Sequence, residues 1–364
     1  MMRRTFSARH IVGCAIRTNV EAGQKVLKGE VATAGGEARL RATLYDADGD
    51  DHDLELDAID PSTLTERQLL WVDVEDDDND EADPALRQLV QRFELDEDVL
   101  QLLQDASGAA RLQNFGGWFL AQVIAVEHAG QLRFKPRPLA IVCGRNFVIS
   151  VHRGPITFIE QLRDRERADT ALGSLTAESF TASLLDWVVE SYLHAVSDFE
   201  VAVDRLEVTL LGHHKQRNVL PELAVLRRSA SRLRRMLSAQ RSVFGALARP
   251  DFRPDEDGVA DKHFRSLEQR YQRAMDAVDN TRELVVGSFE LFTTRTAQRT
   301  NETMRVLTFV TVLLGSLAVI AGVMGMNFKA KIFDLGEVGF WTTVAVMAGI
   351  ILVATGVARW RRWL

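Results

Sequence analysis

The chain has 364 residues with 46% hydrophobic and 26% charged residues, enough for two domains or one domain with appendages. A net charge of −7 argues against nucleic acid as a partner, because a phosphate backbone is met by clustered basic residues. Two distant cysteines, Cys14 and Cys143, with no CxxC or Cys/His cluster, exclude a disulfide framework and a structural zinc site and suit a reducing cytoplasm.

Residues 1–38 mix Gly, Ala, Thr and scattered charges without a sustained period and read as a poorly ordered lead-in. The apolar patch His10 to Ile16 is too short and interrupted for a signal peptide. From residue 39 to 173 the pattern is that of an α/β domain. Alternating runs predict strands at Leu40–Tyr45, Leu70–Val74 and Trp118–Val126. The apolar run Leu139–Val151, turned by Gly144-Arg145-Asn146, predicts a hairpin, with Cys143 as a small buried residue. Spacing of Leu86, Leu89, Val90, Phe93 and Leu100 predicts a helix over Pro84 to Leu103. Acidic tracts flank the first strands, Asp46 to Asp53 and Glu75 to Asp83. They read as solvated loops or as a cytoplasmic cation sensor, without EF-hand spacing.

Strand signals stop after Ser174, and residues 174–303 read as a helical stalk: Phe180–Leu211, Leu220–Leu247 and Asp261 onward. The His213-His214-Lys215 segment between the first two reads as a polar turn, since a metal would need further ligands. In the third helix Phe264, Leu267, Tyr271, Ala274, Val278, Val285 and Phe292 keep heptad-like spacing. Arg227, Arg228, Arg232, Arg234 and Arg235 in the second read as a salt-bridge face toward acidic neighbours. No proline interrupts Asp261 to Gly325, so one helix of about 97 Å enters the membrane directly.

Residues 304–364 form the membrane part. Val306 to Phe328 contains no charged side chain, long enough to cross a hydrocarbon core of about 30 Å. The first span is set at 304–326, the loop at 327–337 and the second span at 338–358, followed by a basic tail. Thr308, Thr311, Gly315, Ala318, Gly322 and Gly325 line one stripe of small residues, which lets helices approach closely. Arg295, Arg299 and Arg305 before the hairpin, and a basic ring of Arg359, Arg361 and Arg362 after it, place both termini in the cytoplasm. Two spans per chain cannot enclose a path through the membrane, and a single small-residue stripe fits a ring of identical subunits around a shared axis.

The Gly325-Met326-Asn327 triplet, preceded by Asn301-Glu302-Thr303-Met304 and Ile320-Ala321-Gly322 and followed by a second span ending Arg361-Arg362-Trp363-Leu364, resembles the CorA-type divalent-cation transporters. Trp71-Val72-Asp73, Arg145-Asn146-Phe147-Val148, Leu226-Arg227-Arg228 and Leu233-Arg234-Arg235 extend the similarity over residues 65 to 364. The resemblance implies a funnel-shaped homopentamer in the inner membrane, with Gly325, Met326 and Asn327 as selectivity filter. It further implies a pore lined by Asn301, Met304, Leu307, Thr311, Gly315, Ala318 and Gly322. Asn301, Thr311 and Asn327 supply oxygens, and Met304 and Leu307 a hydrophobic constriction. Asn327 amides would hold a hydrated magnesium ion without trapping it.

An inside-negative potential drives a divalent ion inward by about 4.6 kcal/mol per 100 mV, so no nucleotide is needed. No P-loop, GxSxG, HExxH or Rossmann fingerprint is present, and no cofactor or enzymatic activity is expected. Magnesium, with cobalt or nickel tolerated, is the expected ion, entering under control of the cytoplasmic domain. Proton-linked zinc movement is the alternative, because Ser316, Ala318 and Met324 stand where the family commonly has proline, threonine and tyrosine, and Lys329 and Lys331 lie near the mouth. A tail-anchored scaffold with non-conducting spans is the reading from another class.

Overall fold

The computed structural model describes residues 39–76, 84–105, 109–130, 132–165, 171–212, 219–252, 259–326 and 336–361. The lead-in, the second acidic tract beyond Asp76, the His213-His214 segment, Asn327 and Arg362 lie outside the described residues.

Seven strands form one sheet: β1 (Arg39–Asp46), β2 (His52–Leu54), β3 (Gln68–Asp76), β4 (Arg111–Asn114), β5 (Phe119–His128), β6 (Phe134–Cys143) and β7 (Phe147–Arg153). Their order is β2-β1-β3-β7-β6-β5-β4, parallel only at β3–β7 and antiparallel elsewhere. The expected hairpin is β6–β7. At Gly144 any Cβ would lie 2.2 Å from the Phe147 ring, so a side chain there would force that ring to move.

Period-two alternation splits the sheet into two cores. Leu70, Val72, Val74, Leu120, Val142, Ile149 and Val151 face one side, with Leu86, Leu89, Val99 and Leu103. These helical residues belong to α1 (Pro84–Arg92) and α2 (Asp98–Leu103). One helix was expected here; Glu94, at φ 50°, turns the chain between the two. The opposite face, with Leu69, Trp71, Phe119, Ile141, Cys143 and Val148, is covered by α3 (Thr157–Arg165), α4 (Ala177–Leu211), α5 (Val219–Ser238), α6 (Arg241–Leu247) and α7 (Val259–Met324).

The expected helix Leu220–Leu247 is two helices, and Gln240 is the reason. Fully buried, its side chain accepts from the Ile124 N–H at 3.0 Å and donates to the Ile124 carbonyl at 3.1 Å and the Tyr192 hydroxyl at 2.9 Å. Strand β4 pairs with β5 only as far as Gln122, so Gln240 supplies the partner that Ile124 lacks at that edge.

Helix α4 runs parallel to α7: the sequence offset is 84 at His263–Ser179 and 81 at Ser288–Glu207. Helix α5 runs antiparallel, since the offset changes from 34 at Tyr271–Leu237 to 45 at Arg234–Asp279. Helix α7 is continuous over 66 residues, about 99 Å. It and α8 (Gly336–Trp360) are long and apolar enough to cross a membrane.

Candidate ion pathway and its support

Within the apolar half of α7 the protected residues are Phe309, Leu313, Leu317, Ile320 and Met324. On α8 they are Gly339, Thr343, Met347, Ile350, Ala354 and Ala358 and, off the stripe these form, Gly349. Steps of three and four put each set on one helix face, and α7 touches α8. The seam therefore sets bulky side chains of α7 toward mostly small ones of α8. The connection of nine residues, 327–335, is too short to lead back along α8, at most about 32 Å of extended chain, so the two helices are antiparallel.

Asn301, Met304, Leu307, Thr311, Gly315, Ala318 and Gly322 all lie on α7, and all are exposed. At about 100° per residue their mean direction is about 170° from that of the seam residues. The small-residue stripe thus points away from the chain's own second span. Beside Gly315 and Gly322 there is open space: a Cβ at either would meet nothing within 4 Å. Met304 is 55% and Leu307 58% exposed, apolar side chains with no cover inside one chain.

Polar groups on this face are already oriented. Thr308 and Thr311 donate to the carbonyls of Met304 and Leu307, each at 2.8 Å. With its proton committed to the backbone, each hydroxyl oxygen turns only lone pairs outward, the polarity that suits a cation. The helix closes in a tight turn, where the Gly325 N–H donates to the Ala321 and Gly322 carbonyls at 3.0 and 3.2 Å. Gly325 and Met326 follow it, both exposed.

Antiparallel spans bring Arg295, Arg299 and Arg305 to the same end of the pair as Arg359 and Arg361. Exposed Trp360 stands at that end of α8 and exposed Phe340 and Trp341 at the other, the places of aromatic side chains at a bilayer's two interfaces.

The soluble part grips α7 through named contacts. Arg270 reaches from α7 to Asp186 on α4, at 2.9 Å, and to Glu190 one turn along. Burial, with Glu190 nearby, pushes the Asp186 carboxyl above the ordinary range although Arg270 opposes it. Of the five arginines expected to form a salt-bridge face on α5, Arg234 alone pairs with a carboxylate among the described residues, Asp279 of α7. The others are exposed, because the buried stripe of α5 (Leu223, Leu226, Ala230, Leu233, Leu237) leaves them on its solvent side.

Sequence patterns missed a buried charge cluster. Asp73 on β3 accepts from Ser150 and Arg163, and lies 3.3 Å from His152. Trp71 donates to Ser150 at 3.0 Å, and the Arg163 guanidinium stacks 5.3 Å from the Trp71 ring centre. Register alone assembles it: Trp71 and Asp73 share a face of β3, Ser150 and His152 the same face of β7, and the strands pair as neighbours. The first acidic tract is a loop closed by its own donors, with Arg67 gripping Asp48 at 2.6 and 2.9 Å and Gln68 reaching Asp46 at 2.7 Å. Among the described residues no three His, Cys, Asp or Glu side chains are grouped to hold a metal ion.

A seven-stranded α/β domain, helices bundled along one uninterrupted stalk, and two apolar helices at its far end define a two-span membrane protein with a cytoplasmic-type head. Residues 66–359 match the family described as CorA-like Mg2+ transporter protein, and the chain belongs to that family. Its general function is divalent-cation transport rather than catalysis. The cobalt/magnesium transport protein CorA of Thermotoga maritima is 24% identical over 227 residues, 62% of this chain and 64% of that protein. The protein of the same name from Methanocaldococcus jannaschii is 22% identical over 317 residues, 84% of this chain and 95% of its own length. The solved structure of the CorA magnesium transporter from Methanocaldococcus jannaschii shares the fold, with a TM-score of 0.69 at 20% identity over 89% of this chain and 98% of that one.

Proposed function

We propose that the protein carries magnesium, with cobalt and nickel tolerated, into the cytoplasm through a homopentamer in the inner membrane. Each subunit contributes α7 to the pore and α8 to its outer wall. Asn301, Met304, Leu307, Thr311, Gly315, Ala318 and Gly322 line the path, and Gly325, Met326 and Asn327 form the filter at its outer mouth. Residues 39–173 serve as the cytoplasmic domain, 174–303 as the stalk and 304–364 as the membrane hairpin, with Arg359, Arg361 and Arg362 as a cytoplasmic basic ring. The protein's partners are copies of itself and membrane lipid.

The observation that carries this reading is the opposition of two faces on α7. Five bulky residues are partly covered on the α8 side, and the opposite face, which holds the small and hydroxyl-bearing residues, is bare in the single chain, as are Val310, Val312, Leu314 and Val319 on the flanks. A pore-lining helix needs that arrangement, since five small-residue faces converge on an axis only if the second spans lie outside. The names of the relatives, cobalt/magnesium transport proteins, support the choice of ions. Asn327 enters through its place in the Gly-Met-Asn triplet.

Flux into proteoliposomes tests it. Asn327→Ala abolishes magnesium uptake while the assembly stays intact by size-exclusion chromatography; unaltered flux removes Asn327 from the filter. Proton-linked zinc transport is favoured by Ser316, Ala318 and Met324. A parallel zinc assay with and without a pH gradient separates the two, and the absence of any ion current in planar bilayers would leave a non-conducting scaffold.

A further inference from the structure

A second site lies far from the membrane. Between the outer ends of β5 and β6, helix α3 and the middle of α4 is a cleft of 180 Å³. Its walls carry three carboxylates, Glu127, Glu190 and Asp198, and three aromatic rings, Phe134, Phe158 and Trp187. Among the described residues no lysine or arginine lines it. Each carboxylate has one arrangement of donors and spare lone pairs. Glu127 caps α3, accepting from the Thr157 N–H at 2.7 Å and its hydroxyl at 2.8 Å. Asp198 meets His128 at 2.7 Å, and Glu190 meets His194 at 3.3 Å and Arg270. Asp198 and His128 are nearly half exposed and His194 is 74% exposed, so the cleft opens to water on that side.

Carboxylates and aromatic faces together select a cation with an apolar body. No three ligating side chains are grouped there for a metal, among the described residues. The volume falls below the about 300 Å³ at which drug-sized pockets begin, so the ligand is short. Glu190 and Asp198 are eight residues apart on α4, about 12 Å along its axis. A four-carbon diamine measures about 6 Å between nitrogens, and a charge-assisted hydrogen bond at each end adds about 2.8 Å, which reaches that distance. The geometry points to a binding site for a short aliphatic diamine, its ammonium groups on Glu190 and Asp198 and its methylene chain against Trp187, Phe134 and Phe158. Bound there, the diamine competes with Arg270 for Glu190, and Arg270 sits on the helix that runs on into the membrane. The assignment does not depend on which ion the spans pass.

Isothermal titration of the detergent-solubilised full chain with 1,4-diaminobutane tests it. Saturable binding is expected, weakened about tenfold by Asp198→Asn, the equivalent of one charge-assisted contact. Weaker binding is also expected for 1,2-diaminoethane, which is too short, and tighter binding in Arg270→Gln, which releases Glu190. Should Asp198→Asn fail to fold, Trp187→Leu removes the apolar wall instead and is expected to weaken binding likewise. No saturable heat, an affinity unchanged by the wall and carboxylate variants, or displacement by zinc or magnesium that depends on Asp198 overturns the assignment, the last by making the cleft a metal site.

Discussion

His152 Nε2 lies 3.3 Å from Asp73 Oδ1 inside the α/β domain, while its Nδ1 lies 2.8 Å from the Gly154 carbonyl. Both neighbours are acceptors, an arrangement that favours the imidazolium form, with a hydrogen on each ring nitrogen. Burial alone would push the imidazole down; the hydrogen bond and charge of Asp73, with the Gly154 carbonyl and Glu75, outweigh it and hold His152 above its usual value. Burial alone would likewise push the Asp73 carboxyl up, and His152, Arg163 and Ser150 together hold it below the carboxylate range.

The pH dependence of stability follows from those directions. The His152 contribution is complete below the unfolded imidazole value, about pH 6.5, and is lost as pH rises through the raised folded value. The Asp73 contribution is complete above about pH 4 and is lost as pH falls through the lowered folded value. Thermal midpoints of the full chain at about pH 6 and about pH 9 are expected to drop with rising pH. The drop is expected to shrink in His152→Gln, and equal drops would show that this pair contributes nothing.

Asp73→Asn keeps the shape of the side chain and removes its charge, leaving His152 and Arg163 uncompensated in a dry site. Loss of one partner from a buried ion pair costs about 3–5 kcal/mol. A denaturant midpoint for the soluble part is expected to fall accordingly, with m unchanged; a change under 1 kcal/mol, about the value of an exposed pair, would place the cluster in water.

Gln240→Ala strips the Ile124 N–H of its acceptor and the Tyr192 hydroxyl of a donor. An unpaired buried group costs about 1–3 kcal/mol, and the same range is expected here. Hydrogen exchange at the Ile124 amide gives the local readout, since a structural loss elsewhere would leave that amide protected.

Gly315→Leu and Gly356→Leu separate pore from lipid. Neither position has an atom within 4 Å of an added Cβ, so neither substitution begins with a clash inside the single chain. Gly315 lies on the stripe opposite the α8 seam, whereas Gly356 faces away from α7 on the outer span. Magnesium uptake into proteoliposomes is expected to fall at least tenfold in the first and to stay near wild type in the second. The reverse result would move the axis of the ring to the other face of the hairpin.

Much of this architecture is written locally. The absence of charge from Val306 to Phe328 announces a span, and alternation in Leu70–Val74 announces a strand, though not its burial on both sides. Strands β2 and β4 were missed because His52–Leu54 and Arg111–Asn114 are short, polar and partly exposed, with little alternation to detect. The break at Gln240 is invisible for a different reason: Ala239 and Gln240 both suit a helix, and the competing partner, Ile124, is 116 residues away. The same holds for Arg270, whose carboxylates follow from the parallel register of α4 and α7, and for the charge cluster, which needs the β3–β7 pairing. On the transport path, the stripe is legible as periodicity, but its direction relative to α8 is not. Asn327 is legible only through the triplet that resembles the family.

Beyond Phe292, where it last packs against the core of the head, α7 runs to Met324 with no proline and no turn, about 48 Å of helix. A tilt of about 5° at that point displaces the far end sideways by about 4 Å, more than the width of a water molecule. A small rotation of the helices that hold α7 is thus magnified by leverage along the helix before it reaches the apolar end.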